Sequence, residues 1–348
     1  MLEDALWHIG RVKPETVFTP LIGPGWGYRY RARLSVRHVS RKGGVLVGFR
    51  ERKSSHVTNM SSCEVLPPHM SALLLPLRGL INGFSICDRV PQVEVAIAGE
   101  GAQQMTVLVF RVLAPLSAQD ETALRAFADT QRVSIYVQPG GPETLAPFWP
   151  LPMPELAYEL PDFGVRLAFA PSEFTQVNHG MNRSLLRRSM SMLAPQRGER
   201  IADMFCGLGN FSLPIAALGA DVVGIEGAEA LVQRAARNAE ANGLASRASF
   251  RVANLFKATP ESLAALGHFD KMLIDPPREG AFDLVKALPQ ADAAGALQRI
   301  VYVSCSAATL ARDVAVLVNE KGYRFRGAGI ANMFPQTSHV ESIALIER

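Results

Sequence analysis

Cysteine is scarce in this chain. Four occur in 348 residues, Cys63, Cys87, Cys206 and Cys305, all far apart and none in a C-x-x-C pair. That excludes a disulfide framework, argues against a zinc site, and fits a reducing compartment. Long apolar runs are also missing, so nothing in the sequence has the length of a membrane span. The N-terminal stretch MLEDALWHIGRVKPE reads as an amphipathic helix, with acids early and no extended apolar core, rather than as a signal peptide. Internal repeats and low-complexity tracts are absent. A soluble, cytoplasmic protein with no membrane partner is expected, long enough for two domains.

Acidic residues are few in one particular place. Residues 1–60 hold eleven Lys or Arg and four Asp or Glu, a local balance of +7 in a chain whose total is +4. Basic charge gathered in one segment is the footprint of a nucleic-acid contact. It is also patterned. In GYRYRARLSVRHV, Tyr28, Tyr30, Ala32, Leu34 and Val36 alternate with Arg29, Arg31, Arg33, Ser35 and Arg37. A period of two sends the arginines to one face of a strand. Arg41-Lys42-Gly43-Gly44 supplies a turn and Val45–Phe49 the returning strand, giving a basic hairpin over 27–50. A ladder of guanidiniums suits phosphate oxygens; an edge strand kept soluble by its charges would read the same way. Strand-like runs at 93–98, 106–110 and 134–138, with a helix from Ser117 to about Ala128, complete a small α/β domain. A proline-rich stretch follows, so the expected division is 1–160 and 161–348.

From residue 200 the pattern alternates strand and helix: RIADMF, DVVGIE, SFRVAN, KMLIDPP and RIVYVSC are strands. Strict alternation implies an open parallel sheet with its ligand at the carboxyl ends of the strands. The turn DMFCGLGNF has Gly207 and Gly209, but Ser212 stands where a dinucleotide fingerprint has its third glycine. Glu226, ending the second strand, is the residue type that holds a ribose diol. With Asp203 before the turn and Asp275-Pro276-Pro277 after the fourth strand, the pattern favours S-adenosylmethionine over NAD. Two closing strands, GYRFRGAGIANMF and SIALIE, fit the sheet of class I S-adenosylmethionine-dependent methyltransferases. At the tip of the strand before them sits Cys305, either a small apolar plug or a thiol opening on a cleft.

PSEFTQVN, DMFCGLGNF, VVGIEG, LIDPPREG, VYVSCSAATLARD and MFPQTSHVES, in this order, resemble the RNA uracil-5-methyltransferases. The hairpin and the stretch VGFRERKSSHVTNMSSCEVL resemble the branch that methylates a uridine of 23S ribosomal RNA. The resemblance covers the whole chain. It implies that Cys305 adds to C6 of the uracil, that Glu341 removes the C5 proton, and that S-adenosylmethionine is held by Gln176, Phe205, Asn210, Glu226, Asn254 and Asp275. Arg29, Arg31, Arg33 and Arg37 become the expected RNA contacts, 23S ribosomal RNA the partner, and a monomer the expected state. Arg278, the fourth residue of DPPR, argues against amino-methyltransferases, which stack their base on an aromatic there. Cys206 is expected to be structural.

The family's full-length members begin with a small β-barrel RNA-binding (TRAM) domain and a cysteine cluster for a [4Fe–4S] centre. Such a cluster asks for four thiolates, and no such set occurs here, so no cluster is expected in this polypeptide. Ser306 stands where relatives often carry Asn. Two other readings remain open at this point: methylation of another RNA, such as transfer RNA or a second ribosomal site, and a non-catalytic RNA-binding remnant.

Overall fold

The computed structural model describes residues 2–99 and 104–348. They form two compact units, the first of residues 1–23, 159–167 and 180–348, the second of 24–158 and 168–179. This differs from a single cut at 160. The strands are numbered along the chain. β1 (Thr16–Val17) is followed by β2 (Arg31–Val39), β3 (Gly44–Gly48), β4 (Gln92–Ala98), β5 (Met105–Arg111), β6 (Val133–Gln138) and β7 (Ala146–Trp149). β8 (Ala157–Leu160) and β9 (Val165–Ala168) pair with each other as the chain passes between units. Then come β10 (Arg200–Met204), β11 (Asp221–Glu226), β12 (Ala248–Val252), β13 (Lys271–Ile274), β14 (Arg299–Ser304), β15 (Arg324–Ala331) and β16 (Glu341–Glu347).

The first unit is a mixed α/β layer built on an eight-stranded sheet of order β12-β11-β10-β13-β14-β16-β15-β1. β10 to β14 are mutually parallel, and β16 lies antiparallel between β14 and β15. Val, Ile and Leu runs with helices on both faces explain the parallel part, since each central strand is buried on two sides. The strand order reverses between β10 and β13, where an α/β sheet opens its crevice. The amino terminus joins this unit for two physical reasons. Leu2, Leu6 and Val12 are buried in the same core as Leu310, Val314 and Tyr302. β1 also pairs in parallel with β15, and Phe18 lies so close to Gly327 that a Cβ there would fall 2.2 Å from its ring. The expected N-terminal helix is short, Leu2–Gly10 including a π turn, and ends where Arg11 turns left-handed at φ 52°.

The second unit carries a six-stranded sheet, β3-β2-β4-β5-β6-β7, antiparallel except for the β5–β6 pair. The helix Ala118–Gln131 makes that crossover, capped by Ser117, whose hydroxyl accepts from the Asp120 N–H while Asp120 accepts from the Ser117 N–H. One sheet face packs its core: Leu34, Val36, Val93, Val95, Leu108 and Phe110 are all buried. The basic strand starts at Arg31, later than its alternation implies. The Arg29 and Tyr30 N–H groups donate instead to Val65 and Val177, so the ladder cannot begin before them.

Candidate active site

Cys305 follows the last residue of β14, and Ser306 caps the helix Ala307–Ala315 by accepting from the Thr309 N–H at 3.4 Å. Ser304 Oγ also accepts from the Ser306 N–H at 3.1 Å. The thiol therefore stands beside a helix N-terminus, whose partial positive charge favours an anion. This gives Ser306 a physical account: serine and asparagine are both good caps, so either fixes the backbone that presents the cysteine. Cys305 is half-buried and opens on a cleft of about 420 Å³ lined by Arg278, Cys305, Ser306, His339, Val340 and Ser342, among others.

Glu341 begins β16, the strand beside β14, and is 5 % exposed. No hydrogen bond or ion pair reaches its carboxylate among the described residues. Burial pushes this carboxyl up to about 7, with the Arg278 charge pulling against it. The same burial raises the Cys305 thiol; the Glu341 charge raises it further and Arg278 lowers it. Asp275, after β13, is raised first by burial and then by Glu341. Thiol, two carboxyls and one guanidinium thus share a field at one edge of the sheet, where β13 and β14 end and the antiparallel β16 begins. The Arg278 Nη2 lies 3.4 and 3.3 Å from the two ring nitrogens of His339.

The loop carrying Arg278 is anchored from below. The Ala281 N–H donates to Asp313 Oδ2 at 2.7 Å, and the Tyr302 hydroxyl donates to the same oxygen at 2.6 Å. Arg312 donates to the Glu279 carbonyl at 2.8 Å and pairs with Asp313 at 2.7 Å. Asp313 and Tyr302 are both fully buried. The sequence offers no signal for this network, because it joins residues 32 apart and depends on which helix face turns inward.

At the switch point the turn after β10 holds Phe205, Gly207 and Gly209 at φ 66°, 55° and 99°. The positive φ at Phe205, costly outside glycine, is fixed by the donation of the Phe205 and Cys206 N–H groups to the Ile225 carbonyl. Glu226 is oriented by three backbone donors: Gly207 at 3.1 Å on one oxygen, Gly227 at 2.8 Å and Ala228 at 3.1 Å on the other. The Asn210 side chain exchanges hydrogen bonds with Asn182 at 3.1 and 3.0 Å. Asp203 is fully buried. One of its oxygens accepts from Ser212 at 2.5 Å, the other has no partner among the described residues, and burial pushes the group up to about 7. Ser212 therefore serves Asp203 where a glycine fingerprint would have none.

Asn254 is exposed beyond β12 and accepts from the Phe256 N–H at 3.1 Å. Phe256, which the sequence reading missed, sets its exposed ring 5.4 Å from that of Phe205. Asn210, Glu226, Asn254, Phe205 and Asp275 are thus all on the strand-end turns of the first unit. Gln176 lies in the 168–179 segment of the second unit.

The four arginines of the basic strand differ from one another. The Arg31 guanidinium donates to the carbonyls of Pro171 and Glu173 and faces Glu94, so its hydrogen-bonding capacity is taken up within the fold. The Arg33 side chain is 69 % exposed and pairs with Glu94 at 2.9 Å. Arg37 is exposed and reaches the Ser55 carbonyl at 3.5 Å. Arg29 is half-buried, its guanidinium 5.8 Å from the Phe49 ring centre.

The tRNA (Uracil-5-)-methyltransferase family matches residues 162–348, more than half of the chain. The chain belongs to this family. Its curated relatives include the 23S rRNA (uracil(1939)-C(5))-methyltransferase RlmD of Burkholderia pseudomallei, 57 % identical over all of this chain and 74 % of that protein. The enzyme of the same description from Aromatoleum aromaticum is 60 % identical, over all of this chain and 79 % of its own length. Among solved structures, the Pyrococcus abyssi tRNA (uracil-54, C5)-methyltransferase in complex with S-adenosyl-L-homocysteine aligns at a TM-score of 0.73 and 24 % identity. That alignment covers 99 % of this chain and 81 % of that one, and supports the fold. Fold and family together make this chain a uracil-5-methyltransferase.

Proposed function

We propose that this enzyme transfers a methyl group from S-adenosylmethionine to C5 of a uridine in 23S ribosomal RNA, through a covalent Cys305–C6 adduct. The observation that carries the reading is one cleft edge: a half-open thiol beside a helix N-terminus, with a buried, unpartnered carboxyl on the adjacent strand. The cytoplasm is the expected compartment for such a substrate. Relatives at 57–60 % identity favour the ribosomal over the transfer-RNA substrate.

The residues present fit the methyl donor. Glu226 is already oriented by backbone donors, and a carboxylate so held can take the two hydroxyls of a ribose. The turn 205–210 brings bare backbone to the crevice, and Phe205, Asn210 and Asn254 complete the expected holders within the first unit. When bound, the cofactor supplies an electrophilic methyl group on sulfonium.

Uracil C5 is a weak nucleophile. The Cys305 thiolate adds its electron pair to C6, and the C5–C6 π pair moves onto the carbonyl conjugated with it, making C5 an enolate carbon that takes the methyl group. Arg278 and the helix N-terminus oppose the burial that keeps the thiol protonated. After transfer, C5 carries both methyl and proton. Glu341 accepts that proton, the C5–C6 double bond re-forms, and the C6–Sγ bond breaks with its pair returning to sulfur. A carboxyl near 7 is balanced for that transfer at neutral pH. A uridine held in structured RNA must first be splayed out to reach the cleft.

The test is covalent trapping with 5-fluorouridine-substituted 23S RNA and S-adenosylmethionine under denaturing electrophoresis. Fluorine cannot leave C5 as a proton, so a Cys305-dependent shifted band is expected. A protein that binds cofactor and RNA yet yields no such band removes the covalent mechanism.

A further inference from the structure

The second unit leaves part of one sheet face to solvent, and there the strand register lines up side chains that none of the catalytic steps use. Ser35, Gln92, Arg111 and Gln138 stand opposite one another in a row across β2, β4, β5 and β6. The next row on the same face begins Arg33, Glu94. Between the rows lies a cleft of about 170 Å³ whose lining includes all of these but Ser35, with Ser172 at its rim. Arg33 and Gln92 both donate to Glu94, at 2.9–3.0 Å, which neutralises that carboxylate. Arg111 is exposed at the end of β5, and no hydrogen bond or ion pair engages it among the described residues. Gln138 donates to the Gly140 carbonyl at 3.3 Å, which leaves its own amide oxygen to accept.

The geometry points to a ribose-phosphate site for the RNA substrate on this face, its phosphodiester on Arg111 and its 2′-hydroxyl on Gln138. This rests on the reading of the protein as an RNA-modifying enzyme. Three features select the ligand. The lining carries two guanidiniums against one paired carboxylate, so it attracts an anion. The volume is below that of a site for a drug-sized or whole-nucleotide ligand, roughly 300 Å³ and up, and suits a backbone unit instead. The free acceptors beside the guanidinium match a 2′-hydroxyl, the group that separates RNA from DNA. The track also continues: along β2 from Ser35, a second cleft of about 330 Å³ is lined by Arg37, His38 and Arg50.

The experiment measures RNA affinity of the full chain by fluorescence anisotropy across a salt series, for the wild type, Arg111→Glu, Arg111→Ala and Arg111→Lys. Arg125→Ala, on the helix behind the sheet, is the control, and S-adenosylhomocysteine binding verifies folding. Arg111→Glu should raise Kd on the order of tenfold and Arg111→Ala should lower the salt slope by about one, with Lys restoring most of both. A single 2′-deoxy substitution in the bound RNA should reproduce part of the loss in the wild type and none in Gln138→Ala. Unchanged Kd and slope in Arg111→Glu overturn the site, as does a wild type that binds no RNA. The 5-fluorouridine trap at saturating RNA is scored separately: losing the band in the wild type removes the functional reading, whereas a normal band with unaltered Arg111→Glu affinity removes only this site.

Discussion

Two cysteines sit at the carboxyl ends of parallel strands in one sheet, and their surroundings are opposite. Cys206 follows β10 and is 4 % exposed, packed so closely over β11 that a Cβ at Gly224 would lie 2.8 Å from its sulfur. Burial raises its thiol well above the ordinary range, and the nearby charges of Asp203 and Glu226 raise it further. Cys305 follows β14 and opens on a cleft; its half-burial also raises its thiol, but there Arg278 pulls against the rise. Strand-end position alone therefore does not make a nucleophile. Exposure, a helix N-terminus and a cation facing the sulfur are what support the proposed role of Cys305.

The sharpest way to break this contrast is to remove each sulfur. Cys305→Ala should lower turnover by more than about 10³-fold, as loss of a covalent nucleophile does, while S-adenosylhomocysteine affinity stays unchanged. Measurable methylation at the wild-type rate would end the distinction between the two sites.

Next in size is the partner on β16. Glu341→Gln should slow release by about 10²–10⁴-fold, the usual worth of a general base, and a protein–RNA adduct should accumulate on denaturing gels. Free product at the normal rate would dismiss Glu341 as the base. In the wild type the rate should rise with pH through about 7, as the carboxyl loses its proton. Stability should move the other way. The unfolded carboxyl ionises near 4.5 and the folded one near 7, so the folded chain loses stability as pH rises across that window. Glu341→Gln should therefore melt higher than the wild type at pH 8 and equally at pH 4, by up to about 3 kcal/mol. Equal melting at pH 8 would mean the carboxyl is not desolvated.

The same contrast marks how far the sequence could be read. β–α alternation carries enough information to mark β10 to β14 as strands of one open parallel sheet, because each strand is buried on both faces and each helix follows its own period. The cysteine and glutamate are legible as a pair only through the motifs that surround them, since Cys206 carries the same local signs as Cys305. What escapes is contact between distant segments. β1 pairs with β15 across the length of the chain, and the first helix buries Leu2 and Leu6 against Leu310 and Val314. No local period announces either. Alternation likewise assigned Arg31 correctly to the face of Arg33, yet could not say that the segment 168–179 covers one and not the other. Arg111 and Gln138 were invisible for the same reason: register across four strands brings them together.

A third prediction concerns the anchor of the Arg278 loop. Asp313→Ala leaves the Tyr302 hydroxyl and the Ala281 N–H without their shared acceptor, which should cost about 2–3 kcal/mol as buried polar groups lose their partner. The loop bearing Arg278 should loosen, so Cys305 should alkylate more slowly with iodoacetamide at pH 7.5, its thiolate less favoured. An unchanged alkylation rate in a destabilised protein would show that Asp313 supports the fold without positioning Arg278.

The smallest effect is expected at the other strand end. Cys206→Ala removes one buried sulfur from a turn that Gly224 allows to pack tightly, so about 1 kcal/mol should be lost through the small cavity. Turnover should persist, because Cys206 faces β11 rather than the cleft. The side chain nonetheless fills space beneath the turn that presents Phe205 and Gly207, whose conformations are left-handed. A modest rise in the Kd for S-adenosylhomocysteine should accompany the stability loss, with no change in the rate of adduct formation once the cofactor is saturating. If Cys206→Ala instead stops adduct formation at saturating cofactor, the two cysteines are coupled in the chemistry, and burial has failed as the criterion that tells them apart.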